Sequence, residues 1–246
     1  MTPEREARLL DVLGRRQLDL TLITDQVHKT RNISALVRNC DAVGISDMHF
    51  VEPKEGYRTF RGTTMGSDRW VELHRHDTTE SAIAAVQAQG MKVFAAHLSA
   101  TAVDFHEVDY TQPCAILMGA ERAGVSELAA KMADQHIIIP MLGMVESFNV
   151  ATASGIILVE AQRQRLRAGL YERDGLDPER TAKYLFEARY PRIVEFCRLC
   201  EEPYPDYTAR GELVDPQAVQ PLVSRGLVLQ AAEKIKPCPR NRSKVS

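Results

Sequence analysis

The sequence predicts an α/β fold, a mainly parallel sheet with helices on both faces. Three observations carry that expectation. Short apolar runs alternate with longer helical patterns from Leu20 to about Leu170. Some of the runs, such as Ile137-Ile-Ile ahead of Pro140, are continuously apolar, as strands covered on both faces must be. Three of them end in polar loops, the place where open α/β sheets hold ligands.

Taken in order, Pro3 to Gln17 reads as an amphipathic helix, with Ala7, Leu10, Val12 and Leu13 apolar among arginines and acids. Strands are expected at Leu20–Thr24, Met48–Val51, Trp70–Leu73, Lys92–His97, Ala115–Met118 and His136–Pro140. Helices are expected at Ile33–Val43, Thr79–Gln89, Val125–Ala133 and Val150–Ala168. Composition changes after Gly169. Asp177-Pro-Glu has the form of a helix start, Pro203-Tyr-Pro205 breaks the next helix, and Asp215-Pro-Gln can open another. The end, from Lys234 to Ser246, is basic and punctuated by proline, which predicts mobility. The organisation is therefore an amino-terminal helical extension (1–19), an α/β domain (20–170) and a carboxyl-terminal helical extension with a mobile basic tail (171–246).

Composition narrows the class. The chain is 44% hydrophobic, with 31 basic and 33 acidic residues. That balance is ordinary for a globular protein and argues against a uniformly basic nucleic-acid binder, though not against a local basic patch. No apolar run is long enough to span a membrane, and the charged start lacks the core of a signal peptide, so a cytoplasmic protein away from the membrane is expected. Five cysteines at irregular spacing argue against a disulfide framework. Cys197-Arg-Leu-Cys200 is a lone pair one helical turn apart, and no metal is expected. His74-Arg-His76 reads as surface and Trp70 as core.

The chemistry is concentrated in three strand-end segments. The first, Asn32-Ile-Ser-Ala-Leu-Val-Arg38-Asn39, opens a helix after the strand at Leu20, and nearly two turns separate Asn32 from Arg38, so both can share much the same side. The second is Ile116-Leu-Met-Gly119-Ala-Glu121-Arg-Ala-Gly124, strand then glycine turn then polar residue. The third is Gly143-Met-Val-Glu-Ser147-Phe-Asn149, running into the small residues Ala151 to Gly155. Ser147 has the chemistry of a helix N-cap there. Each segment alone is what a cap or a loop looks like; the three together make a site.

In this order and at these separations the segments resemble the motifs of the SpoU/TrmH branch of the SPOUT RNA 2′-O-methyltransferases. Those motifs run roughly Asn-x-x-x-x-x-Arg-Asn, Gly-x-Glu-x-x-Gly and Ser-x-Asn-[Val/Leu]-x-x-Ala. The resemblance covers about Leu20 to Leu170. Phe148 stands where leucine is commoner and Ala151-Thr-Ala where Ser-Val-Ala is, neither touching the polar residues. The likeness implies a trefoil knot in the carboxyl half of the sheet and a homodimer. It also implies methyl transfer from S-adenosyl-L-methionine to the ribose 2′-hydroxyl of guanosine-18 in the D-loop of tRNA.

Carried over residue by residue, the resemblance implies donor contacts at His97, Leu98, Met118, Gly119, Ile139, Pro140, Met141, Ser147 and Phe148. It makes Arg38, Asn32, Glu121, Ser147 and Asn149 the catalytic set. A free guanidinium is protonated at any ordinary pH and is a poor proton acceptor as it stands. Two roles are open to Arg38: a bidentate fork on the phosphate beside the target ribose, or proton withdrawal assisted by that phosphate. Arg8, Arg15, Arg16, Arg163 and Arg165 are the expected RNA contacts, from both sides of the core. The alternatives are 23S rRNA as substrate, or a non-catalytic RNA-binding module on the same fold. The rRNA branch usually carries an RNA-binding domain ahead of the core, where this sequence has 19 residues.

Overall fold

In the computed structural model the strands are β1 (Leu20–Asp25), β2 (Asp47–Val51), β3 (Glu72–His76), β4 (Lys92–Ala96), β5 (Val103–Asp104), β6 (Cys114–Gly119) and β7 (Gln135–Ile138). The helices are α1 (Pro3–Gly14), α2 (Thr30–Ala42), α3 (Thr79–Gln87), α4 (Glu127–Met132), α5 (Val150–Arg167), α6 (Pro178–Arg189) and α7 (Pro191–Cys200). The structure describes residues 1–51, 69–121, 123–173 and 175–217. The strands form one parallel sheet in the order β3-β2-β1-β6-β4-β7-β5.

β1 is central and buried along its whole length, and its side chains alternate between two cores. Leu20 and Leu22 enter one with Ile33, Leu36 and Val37 of α2 and Ile157, Leu158 and Ala161 of α5. Ile23 enters the other with Ala82, Ile83 and Val86 of α3 and Ala129 and Ala130 of α4. Both faces are therefore covered, and every strand can leave its carboxyl end on one rim.

Departures from the expected elements have local causes. β3 runs to His76 and starts at Glu72, because in register with β2 it presents His74 and His76 to His49 instead of an apolar stripe. The three imidazoles stack, with His49 and His76 nitrogens 2.9 Å apart and His74 bonded to Asp47 at 2.8 Å. His74 and His76 therefore belong to a half-buried cluster, not to plain surface. Trp70 is half-buried and no core residue. β7 stops at Ile138, short of Pro140, which has no N–H to give a ladder. β5 is two residues long, too short to show a period. α6 and α7 are separated at Tyr190 by Pro191, which starts α7 at a position where a missing N–H costs nothing. α7 ends at Cys200 on the left-handed Glu201, before Pro203 is reached. The basic tail lies outside the described residues, as does all but the first turn of any helix starting at Asp215.

Two compact units divide the chain, Asp11–Leu176 and a second made of Met1–Leu10 with the described residues from Asp177. Residues 11–19 and 171–176 fall in the α/β unit, and only the first ten residues of the expected amino-terminal extension share a unit with the carboxyl-terminal one. Arg189 of α6 donates to Glu6 at 2.7 Å, which ties the first ten residues to that unit. Its small core is Phe186, Ile193, Val194, Phe196 and Cys197, with Tyr207 stacked on Phe186 and Cys200 at the edge. No helix among the described residues is long and apolar enough to cross a membrane.

Candidate active site

The carboxyl ends of β4, β6 and β7 surround a cavity of about 670 Å³. From β4 come His97 and Leu98, and from β6 come Met118, Gly119 and Glu121. The chain leaving β7 supplies Ile139, Pro140 and Met141, then Ser147 and Phe148 from the loop before α5. The lining is mainly apolar with polar groups at a few points, the usual build of a small-molecule site. Burial, with the His136 ring 5.0 Å away, holds His97 below the ordinary imidazole value. His136 is itself fixed, by the Ser99 hydroxyl at 2.7 Å and the Ala130 carbonyl at 2.8 Å.

Gly119 is needed by its own loop. A Cβ there would lie 2.1 Å from the carbonyl carbon of Gly124. Ala120 and Gly124 exchange two backbone hydrogen bonds, of 3.1 and 2.8 Å, and so close a turn from which Glu121 projects. Glu121 Oε1 accepts from the side-chain amide of Asn32 and lies 3.4 Å from the Lys29 ammonium. The first and second sequence motifs are thereby joined.

The third motif meets the first through Asn39, the last residue of that motif, to which sequence reasoning gave no role. Asn39 donates to the Ala151 carbonyl at 2.7 Å and lies 2.8 Å from the Ser154 hydroxyl. Its position beside Arg38 in the motif was the available signal, and so was the glycine at 155, whose Cβ would touch Asn39 at 3.4 Å. Asn149, with its side chain accepting from the Ala151 N–H at 3.0 Å, caps α5. That corrects the cap expected at Ser147, which stands two residues upstream and is exposed on the cavity wall. Asn32 is buried and Arg38 exposed. Six residues rotate a helix by roughly 600°, which leaves the two about 120° apart and not on a common side.

The five expected RNA contacts divide by burial. Arg165 is wholly buried: its guanidinium donates to the Tyr110, Gln112 and Asp19 carbonyls and to the side chains of Gln17 and Asp19. Arg16 is 3% exposed and bonds the Ile45 carbonyl at 3.0 Å and Asp41 at 2.6 Å. Neither can reach a phosphate, so both are corrected to internal clamps. Arg8 and Arg15 are exposed, the latter paired with Asp11 at 2.7 Å. Arg163 is exposed at its head and forms a bidentate pair with Glu160 at 2.7 and 2.6 Å. Among the described residues no group of His, Cys, Asp or Glu is arranged to hold a metal ion.

Comparison with known proteins agrees with this geometry. The tRNA (guanosine(18)-2′-O)-methyltransferase of Escherichia coli (strain K12) is 46% identical over 215 residues, 87% of this chain and 94% of that protein. The solved TrmH/SpoU tRNA modifying enzyme of A. aeolicus has a TM-score of 0.69 at 40% identity, covering 76% of this chain and 96% of its own. The SpoU methyltransferase AviRb of Streptomyces viridochromogenes, solved in complex with the cofactor AdoMet, has a TM-score of 0.56 at 26% identity over 64% of this chain and 65% of that one. The SpoU rRNA Methylase family matches residues 19–159, and its C-terminal companion family matches 163–216. With its sheet, its three motif loops and these relatives in agreement, the chain belongs to the SpoU methylase family.

Proposed function

We propose that this protein transfers a methyl group from S-adenosyl-L-methionine to the ribose 2′-oxygen of guanosine-18 in tRNA. The observation that carries the reading is the union of three motifs at one rim: Glu121 bonded to Asn32, Asn39 bonded to the start of α5, and the cavity between them. The relative from E. coli, which spans nearly the same length, supports the choice of nucleoside.

The cavity fits the donor. The apolar walls at Leu98, Met118, Ile139 and Phe148 suit a nucleobase, while Glu121 and Ser147 add polar side chains to the same lining. Bound there, S-adenosyl-L-methionine supplies an electrophilic methyl group. His97, Gly119, Pro140, Met141 and Ser147 complete the walls. Arg38 extends from α2 as the fork that grips the phosphate beside the target ribose and fixes the 2′-oxygen, the less demanding of its two roles because it needs no proton loss from a guanidinium. Asn32 and Glu121 hold that end of α2 against the cavity wall, and Asn149 sets the start of α5.

The active species is a homodimer in the cytoplasm, where its substrate is. Leu142, Met144, Val145 and Phe148 beside the cavity, with Val159 and Leu166 on α5, are exposed apolar side chains that a second copy would cover. Arg8, Arg15 and Arg163 are the flanking cations offered to tRNA. The test is direct: labelled donor is incubated with unmodified tRNA and 23S rRNA transcripts, and the methylated nucleotide is mapped. Label at guanosine-18 of tRNA is the expected result; label confined to rRNA, or none, would overturn the reading.

A further inference from the structure

We infer that Asp25 is a positioning residue for methyl transfer, its buried carboxylate fixing the loop that presents Glu121 to Asn32. The inference rests on the reading that Asn32 and Glu121 serve that reaction.

Asp25 ends β1 and is fully buried. Its register partner across the sheet is Gly119, the last residue of β6, so two chains leave the rim side by side. One chain carries Lys29 and Asn32, the other Glu121. The Asp25 carboxylate controls the second. Oδ2 accepts from the Ser126 N–H at 2.7 Å, at the base of the turn closed by Ala120 and Gly124. Oδ1 accepts from the Thr79 hydroxyl at 2.7 Å, at the first residue of α3, and Thr79 is itself buried. The loop is thus held between two fixed elements, with Glu121 on the far side of its turn. The first chain is set as sharply: Gln26, immediately after Asp25, has φ +53°, a left-handed conformation unusual for a side chain of that size, and Val27 is fully buried.

A carboxylate at this position is a costly way to end a strand. Taking a charge out of water is unfavourable, and a well-packed apolar residue would serve stability as well or better. What a carboxylate adds is a strong acceptor with two arms in a fixed fork, giving a charge-assisted bond to a backbone N–H. Held this way, the loop places Glu121 Oε1 against Asn32 and Lys29 before any ligand arrives. Loss of the fork would leave the sheet intact and let the turn shift by the fraction of an ångström that matters for a reacting geometry.

The test is a double-mutant cycle on the full-length protein, assayed for single-turnover methylation of tRNA below the melting temperature of each variant. Asp25→Ala is expected to lower the rate by about tenfold or more, and Asp25→Asn, which keeps a weaker neutral acceptor, by a few-fold. In a Glu121→Gln background the same Asp25 changes should cost less than about twofold, because the contact they protect is already impaired. Losses that simply multiply would overturn the positioning role while leaving that of Glu121 standing. A Glu121→Gln variant with wild-type rate would instead sink the reading on which the inference rests. Should Asp25→Ala fail to fold, Asp25→Asn carries the test through the side-chain amide signals of Asn32 in a nitrogen-15 NMR spectrum. Those signals should move toward the positions they take in Glu121→Gln; unmoved signals would overturn the inference.

Discussion

The side-chain amide of Asn39 spans from α2 to the first turn of α5, 2.7 Å from the Ala151 carbonyl and 2.8 Å from the Ser154 hydroxyl. The residue next to Arg38 is therefore bonded to the helix that Asn149 caps. Asn39→Ala should lower stability by about 1–2 kcal/mol in urea denaturation, the usual worth of the two part-buried hydrogen bonds it removes. Methylation should fall further than stability explains. Asn39→Asp should be worse than Ala, because a carboxylate would face the Ala151 carbonyl. Equal activity in all three proteins would show that the α2–α5 contact has no part in the reaction.

Arg38→Ala should abolish methyl transfer with donor affinity nearly unchanged, because Arg38 is not among the residues lining the cavity. Lysine should rescue poorly, having a charge but no planar fork. Calorimetry for the donor and a methylation assay for turnover separate the two. Methylation by Arg38→Ala within about tenfold of wild type would remove it from the reaction; a tenfold loss corresponds to only about 1.4 kcal/mol of barrier.

Arg165 makes the opposite prediction. Its guanidinium bonds five acceptors contributed by Gln17, Asp19, Tyr110 and Gln112, and so joins the segment before β1 to the turn before β6. Arg165→Ala should destabilise by about 3 kcal/mol or more, the penalty for breaking a buried charged network. Arg165→Lys should recover little, because one ammonium cannot serve acceptors on so many sides. Thermal melts of the two variants check this. A melt within a degree or two of wild type for Arg165→Ala would show the network to be dispensable.

Periodicity made the inner strands legible, since β4 and β6 are short runs of mostly apolar residues, β1 is apolar at three of its six positions, and Ile137-Ile-Ile marks β7 in the same way. The polar residues at their ends were legible because motif order and spacing survive in one dimension. Burial of an individual arginine was not. Arg163 and Arg165 look alike in sequence, yet two residues turn a helix by about 200°, which sends one head to solvent and the other into the protein. The strand order was also hidden: β4 sits between β6 and β7, and no local signal encodes which strands become neighbours. The histidine cluster was missed for a related reason. His49 and His74 meet only through the parallel register between β2 and the edge strand β3, 25 residues apart in sequence.

That cluster gives the protein a pH dependence. Burial first, then the neighbouring His74 and His76, lowers His49 from 6.5 to about 4, with Asp47 opposing. His76 is lowered too, again mainly by burial. The unfolded chain therefore takes up protons before the folded one as pH falls. Stability should be full above about pH 6.5 and decline progressively toward pH 4. Glu160 contributes in a separate window. Bonding to Arg163 brings it from 4.5 to about 2, so its share is lost only below pH 4.5. Urea midpoints measured from pH 7.5 to 4.5 should fall for the wild type and flatten for His49→Gln. A wild-type midpoint constant across that range would contradict the assignment.

The remaining prediction concerns the flanks. Arg8, Arg15 and Arg163 are exposed, but their surroundings differ: Arg15 is paired with Asp11 and Arg163 with Glu160, whose carboxylate is largely buried. If all three meet phosphates of tRNA, each loss should weaken binding and reduce the magnitude of the salt slope by about one unit at most, independent of sequence. Arg8→Ala should approach that limit. Arg15→Ala should fall short of it, because a neighbouring carboxylate already offsets part of the charge. Arg163→Ala carries a second effect, since it leaves Glu160 with the Gln164 amide but without its guanidinium, so its melt must be recorded alongside its binding. Maximal turnover at saturating tRNA should not change in Arg8→Ala. Filter binding from about 50 to 300 mM salt reads the slopes against the wild-type protein. Slopes unchanged in all three surface variants would leave the flanking arginines with a structural role only.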